Sequence, residues 1–394
     1  MIGKSPGSPL LGTDAIYLDH AATAFPRHPR VGAAMQAALD IAGSAGRGGH
    51  SGAKAGALVV SSARERLAAL FGAADPDTIL FFPSSTVALN TAISGLAEQS
   101  AGRHVLVGPL EHAAVTRPIA RIFRPEGLIR LPATASGVVN LAALENLDTS
   151  NCAGVVVQHA SNVNGVVQPL MGIGAWCASR GLPFIVDGAQ AAGLVPVTLV
   201  DIPGLVAYTA AGHKFLGGPP GIGIAYFANE FQPEPLWVGG NAIDSSTNTV
   251  APSGPPRFEC GTANLPGIAG LEAALKSFDE ESLLERWEAA TARRGEWRDR
   301  LSDVANIDLI GEEPDGDRPR TAIISLRVLG LKPTDAAKEL EARTGAHCRA
   351  GLHCAPFAHE YFHTLSEGGT LRIAPGAEVT EFQRDLVLKT LATL

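Results

Sequence analysis

At 394 residues the chain is too long for one small core and fits a large domain joined to a smaller one. Its composition, 46% apolar and 18% charged, is that of a globular protein, and a net charge of −8 without a basic stripe argues against nucleic-acid binding. No apolar run reaches the 18 residues a membrane span needs, and no secretory h-region is read near the start; five sparse, irregularly spaced cysteines (152, 177, 260, 348, 354) read as reduced thiols, so the expected compartment is the cytoplasm.

The first strong element is "TILFFP" (78–83), a buried strand, followed by the helical pattern "STVALNTAISGLAEQS". "RHVLVG" (103–108) reads as a strand and "EHAAVTRPIARIF" as its helix. "AGVVVQHAS" (153–161) and the helical "PLMGIGAWCASRG" repeat the alternation. "PFIVDGAQ" (183–190), "LVAYTAAG" (205–212) and "GIGIAYF" (221–227) add three more strands. Strands alternating with helices imply βαβ units and a mostly parallel sheet, and continuous Val/Ile/Leu runs fit strands covered on both faces. A Pro/Gly/Ser-rich stretch (239–267) breaks the pattern and reads as a functional loop leading to a second, α+β domain. There, "IAGLEAALKSFDEESLLERWEAATARRGEWRDRLSDV" reads as charged and helical. "TAIISLRV" (321–328) and "GTLRIAPG" (369–376) read as strands, and "VTEFQRDLVLKTLATL" as a closing amphipathic helix.

Three positions suggest chemistry. Asp187 ends an apolar strand, where α/β folds open their ligand crevice; an ordinary helix cap would explain it equally well. Lys214 follows a strand and precedes glycine-rich chain, where a desolvated amine can form a Schiff base; a surface lysine is the plain alternative. Ser84, Ser85 and Thr86 open a helix, a ready anion site or merely a cap. Neither GxGxxG nor GxxxxGK[ST] accompanies them, so a dinucleotide or ATP site is disfavoured.

The order of these signals, with His112 in "PLEHAAV", Asn162 in "ASNVNGVVQP" and Gln190 after Asp187, resembles the pyridoxal-phosphate (PLP) enzymes of fold type I. More narrowly it resembles the class V aminotransferases and their cysteine desulfurases, of the type whose catalytic cysteine lies on a short loop. Seven ordered motifs carry the likeness: "YLDHAATAFPRHPRV", "LEHAA", "SNVNGVVQP", "VDGAQAAG", "GHKFLGGPPGIG", "FECGTANLP" and "RAGLHCAP". The resemblance implies an α/β large domain (21–262) with a mostly parallel seven-stranded sheet, and a small α+β domain from 1–20 and 263–394.

It also implies roles. Lys214 matches the lysine that carries PLP and Asp187 the partner of the ring nitrogen, which keeps the ring an electron sink. His112 matches the residue stacked on the ring, Gln190 a partner of the ring hydroxyl, and Asn162 a residue near that hydroxyl and the substrate. Ser85, Thr86 and His213 match phosphate contacts; Thr262 matches one donated by a second subunit, which implies a homodimer. Arg372 matches the arginine that grips a substrate carboxylate, and Arg349 a second arginine of the site. The departures are Ala211, where relatives carry a serine, His20 after the first aspartate, and the "PSST" helix start.

The segment "HCRAGLHCAPFAHE" (347–360) holds Cys348, Cys354, His347, His353 and His359. Cysteines six apart without a second knuckle argue against structural zinc, and no metal is expected. Cys348 reads as a buried small hydrophobe. Cys354 falls where the resembling desulfurases place the thiol that receives sulfur, with Arg349 and His353 as expected neighbours. The implied reaction takes L-cysteine, or an analogue such as selenocysteine, to alanine, with sulfur passing to Cys354 and on to an acceptor protein. A C–S β-lyase yielding pyruvate, an aminotransferase, or a non-catalytic member of the fold are the alternatives.

Overall fold

The computed structural model describes residues 15–41, 44–45, 48–99, 104–240, 248–312 and 319–394. The stretch 1–14, read above for a leader, and 241–247 of the polar loop lie outside the described residues. The chain enters through β1 (Ile16–Tyr17), α1 (Pro29–Leu39) and the long α2 (Ser51–Phe71). Helix α2 stops at Gly72, whose φ of +68° is a left-handed cap that suits glycine.

The large layer follows as β2 (Ile79–Phe82), α3 (Ser85–Gln99), β3 (His104–Val107), α4 (Ala113–Ile122), β4 (Leu128–Arg130), α5 (Leu141–Leu144), β5 (Cys152–Gln158), α6 (Leu170–Ser179), β6 (Phe184–Asp187), β7 (Leu205–Ala211) and β8 (Gly223–Phe227). Its seven strands lie in the order β2-β8-β7-β6-β5-β3-β4. Only β8 runs against its neighbours, so the sheet is largely parallel. Every residue of β5 and β6 is buried, because helices cover both faces and leave no side of the strand for polar side chains. The strand β4 escapes the apolar-run reading because its "LIR" is short and half-exposed at the sheet edge.

After α7 (Pro255–Phe258), α8 (Leu265–Leu275) returns to the large layer, where Ile268, Leu271 and Leu275 join the main core. The single charged helical stretch expected over 268–304 is thus two helices. Its first half is apolar and buried, and Ser282 starts α9 (Leu283–Ser302) with a capping box to Glu285. The main core therefore continues past residue 263.

The second layer holds β9 (Ile307–Leu309), β10 (Ile324–Val328), α10 (Pro333–Thr344), β11 (Ala346–His347), β12 (Arg349–Gly351), α11 (Pro356–Tyr361), β13 (Thr370–Ile373) and α12 (Glu381–Leu391). Its antiparallel sheet runs β12-β13-β10-β9. The N-terminal β1 pairs with β11, and Asp19 bridges to Ala374, so the start of the described chain belongs to this layer. Around Ile16, Leu18, Trp297, Leu326 and Leu371 a second apolar core forms. The strands β11 and β12 are too short for a periodic signal; β12 is fixed by pairing with β13, Arg349 opposite Arg372. No described helix is long and apolar enough to cross a membrane.

Candidate active site

Five chain segments leave the carboxyl ends of parallel strands on one side of the large sheet, where such folds bind ligands. From β2 the chain turns into Ser85 and Thr86 at the start of α3. From β3 it reaches His112, from β5 Asn162, β6 ends at Asp187, and β7 leads to His213 and Lys214. All of these and Gln190 line one cavity of about 260 Å³. Gly223 lets β8 press against the Ser84–Ser85 backbone, where a Cβ would strike the chain, so the start of α3 sits tight on the cavity.

Burial dominates the electrostatics. It draws the Lys214 amine down to about 8; Asp187 opposes this, while Arg372 and Arg349 reinforce it. The Asp187 carboxyl is pushed up by burial, against a hydrogen bond from the Ala189 N–H at 3.0 Å and the attraction of Lys214. Two groups that are both costly to charge thus share one enclosure. Burial lowers His112 to about 4, so its ring is neutral at physiological pH. Its Nδ1 accepts from the Ala114 N–H at 3.0 Å and caps α4, which fixes the ring on one wall and places the proton on Nε2. His213 is also lowered to about 4, and its Nδ1 lies 3.1 Å from the Thr23 hydroxyl. Ser85 donates to Thr209 Oγ1 at 3.2 Å.

From the small layer, β13 delivers Arg372, only 1% exposed. Its Nη2 donates to Asp19 Oδ1 at 2.6 Å and its Nη1 to the Asn162 carbonyl at 3.0 Å. The remaining guanidinium protons are open to a second anion, and the buried Nε has no hydrogen-bond partner among the described residues. Arg349 stands beside it and donates to Cys354 Sγ at 3.3 Å. Cys354 is exposed. Both His353 (φ +49°) and Cys354 (φ +56°) hold left-handed backbone, unusual for two successive side-chain-bearing residues, and this turns the thiol outward. The loop is tied down by the Ala113 N–H donating to the Cys354 carbonyl at 2.8 Å and by Asn162 Nδ2 donating to the His353 carbonyl at 2.7 Å.

His353 is not the sulfur's neighbour that its sequence position suggested. Its ring is buried beneath the loop with Nε2 against Thr370, and burial holds it well below its usual range, so it is neutral there. His359 lies behind it, ring centroids 5.5 Å apart, with Nδ1 2.7 Å from the Thr364 hydroxyl. Cys348 packs against the small core, its thiol pushed up to about 12 by burial. His347 faces Glu341. Among the described residues no group of three or more His, Cys, Asp or Glu side chains is placed to hold a metal ion.

Thr262 does not join the Lys214 cavity. It lines a larger one, about 570 Å³, which shares only Pro83 and Gly221 with the first. The larger space is lined by an Arg64–Glu259 ion pair and the half-buried Cys260 thiol but, among the described residues, by no lysine or histidine, so its volume does not make it the seat of the Lys214 chemistry. Of the departures, Ala211 lines the Lys214 cavity without a hydroxyl, and His20 pairs with Glu378 at 2.6 Å.

Three side chains went unnoticed in sequence. Asp19 restrains Arg372, and the signal was there, since it ends the apolar run "AIYL" as Asp187 ends "FIV". Glu111 is fully buried beside His112 and accepts from the Gln158 N–H at 2.7 Å, its carboxyl raised well above the usual range by burial. His159, lowered to about 3 by burial, sits 3.1 Å from the Tyr208 hydroxyl behind the sheet end. Nothing in the strand pattern marks the last two as polar partners.

An aminotransferase class-V family model matches residues 16–383. This chain belongs to the class-V aminotransferases. Against a cysteine desulfurase of Yersinia pestis this class-V aminotransferase is 30% identical over 353 residues, covering 87% of this chain and 85% of the relative. Among solved structures it is similar to the apo cysteine desulfurase of Thermococcus onnurineus, with a TM-score of 0.84, 27% identity and coverage of 96% and 94%. It is also similar to an Escherichia coli cysteine desulfurase in an S-sulfonic acid form, with a TM-score of 0.85, 25% identity and coverage of 98% and 96%. The family's fold is type I, and PLP is its cofactor. The cavity of this class-V aminotransferase fits that cofactor. It offers an amine of lowered pKa, a carboxylate at a strand end and a helix start with hydroxyls. It also holds two buried acceptors without partners among the described residues, Gln190 Oε1 and Asn162 Oδ1.

Proposed function

We propose that this class-V aminotransferase is a PLP-dependent cysteine desulfurase, which takes L-cysteine to L-alanine and collects the sulfur on Cys354. The observation that carries the reading is the thiol of Cys354, turned outward on a left-handed loop with the Arg349 guanidinium 3.3 Å from its sulfur. Sequence similarity to named cysteine desulfurases supports it.

When bound, PLP supplies an electron sink for charge that develops at the substrate's α-carbon. Lys214, Asp187, His112, Gln190, Asn162, Ser85, Thr86 and His213 are the residues that would hold it. Arg372 grips the substrate carboxylate with the guanidinium edge left free by Asp19 and Asn162. Lys214 Nζ, its pKa near 8, is suited to accept the α-proton and return it. His112, neutral and capped onto α4, walls the site and keeps water from one face. The Cys354 thiolate attacks the substrate sulfur; an S–S bond forms, the C–S bond breaks, and the carbon skeleton leaves as alanine after reprotonation. The persulfide then passes its outer sulfur to an acceptor. The position of Thr262 on a cavity adjoining the first supports a homodimer in which a second copy completes the phosphate site. Five free thiols support a reducing, cytoplasmic setting.

Incubation of the holoenzyme with cysteine tests this reading. With a dithiol added to reduce the persulfide and be oxidised to its disulfide, alanine and sulfide in equal amounts are expected, with alanine lost in Cys354→Ala and both product and yellow colour lost in Lys214→Ala. Pyruvate as the main product would assign a β-lyase, and undiminished alanine in Cys354→Ala would remove the thiol from the mechanism.

A further inference from the structure

Outside the Lys214 cavity, a second recess of about 370 Å³ opens at the thiol. Thr86 and His112 form walls of both, so the recess is the outward continuation of the site. Cys354 lines it together with Arg117, Pro118 and Arg121 of α4. The hydrogen bond from Ala113 to the Cys354 carbonyl fixes the thiol loop against the first turn of α4, so these elements hold a set spacing.

Arg117 and Arg121 are four apart on one helix and share its exposed face. Neither makes a salt bridge with a described residue, unlike Arg130 with Glu360 or Arg327 with Asp308 and Glu367. Two uncompensated cations at the mouth of a recess stand out in a chain of net charge −8. Such a pair attracts anions and orients them at short range. The substrate carboxylate already has Arg372 on the inner side of the thiol, so the outer pair serves a different anion.

We propose that the recess is the binding site of the sulfur acceptor, and that the acceptor is a small thiol carrying a carboxylate, which Arg117 and Arg121 hold beside Cys354. This rests on the reading of Cys354 as the sulfur carrier. The acceptor thiolate attacks the outer sulfur of the Cys354 persulfide. A new S–S bond forms on the acceptor, the protein S–S bond breaks, and its electron pair stays on Cys354 Sγ as thiolate. No oxidant or reductant is consumed in that exchange. A recess of this volume suits a small molecule.

The test charges the holoenzyme with cysteine, then measures the rate of sulfur transfer to mercaptosuccinate (anionic), 2-mercaptoethanol (neutral) and cysteamine (cationic). Intrinsic thiol reactivity cancels when variants are compared. The mercaptosuccinate-to-cysteamine rate ratio is expected to fall about tenfold in Arg117→Gln/Arg121→Gln, and to survive in Arg117→Lys/Arg121→Lys. Each single Gln variant shows part of the fall, which covers a double variant that fails to fold. An unchanged ratio, or an equal loss with all three thiols, overturns the proposal. So does a loss confined to an acidic cysteine-bearing peptide, which would give the arginines to a polypeptide acceptor. A wild type that never gains a sulfur on Cys354 by mass overturns the desulfurase reading and this one with it; a charged Cys354 without charge discrimination overturns this one alone.

Discussion

The Asp19–Arg372 pair offers a sharp test of how the substrate carboxylate is held. Arg372 is 1% exposed on its side chain and Asp19 21%, so their contact is shielded from bulk water and little weakened by screening. Asp19→Asn keeps the shape and a hydrogen-bond acceptor but removes the charge. A charge-assisted bond contributes about 2 kcal/mol and a neutral one about 1 kcal/mol, a difference of about 1 kcal/mol. Part of that difference loosens the guanidinium, which then meets the substrate less well prepared. Converted to affinity, about 1 kcal/mol is roughly a fivefold change. The expected result is a KM for cysteine raised by up to about fivefold with kcat nearly constant, because the carboxylate is held equally before and during reaction. The melting temperature should fall by only about 2 °C in a chain of this size. Inhibition by cysteamine, which has no carboxylate, should not change. The reasoning is refuted if KM stays at the wild-type value, or if inhibition by cysteamine weakens as much as cysteine binding does.

Two further outcomes follow from the same geometry. Because burial lowers Lys214 to about 8, its free-amine fraction rises with pH through that value, where it is half-maximal, and levels above it. The rate at which the apoprotein gains PLP colour should therefore climb with a midpoint near pH 8 and flatten above it, whereas an ordinary lysine would have its midpoint near its usual 10.5. His112 and His213, both near 4, stay neutral throughout and do not blur the profile. In Gly188→Ala the added Cβ would run into the Tyr208 ring. That overpacking should cost about 1–3 kcal/mol, seen as a lower melting temperature together with weaker PLP retention; a variant as stable as wild type would show that the Tyr208 ring gives way freely.

Much of the large layer was legible in sequence, because strands buried on both faces must be unbroken apolar runs; "AGVVVQ" and "FIVD" could hardly read otherwise. Asp187 and Lys214 stood out as polar residues at the ends of such runs. The short β11 and β12 around Cys354 did not, since two or three residues carry no period. Helix α8 looked charged only because it was read together with α9; its own face toward α1 and α2 is apolar.

The sequence by itself determined which groups are present and on which local element each sits, because strand ends, helix caps and apolar periods are short-range properties of the chain. Tertiary structure alone decided which of them meet. It brought Arg372 and Asp19, 353 residues apart, into one ion pair, set Arg349 rather than His353 against the Cys354 sulfur, and left Arg117 and Arg121 beside it without an ion pair to any described residue. Those outcomes depend on how two separate cores pack and on how far burial shifts each charge, and neither is written in any single stretch of residues.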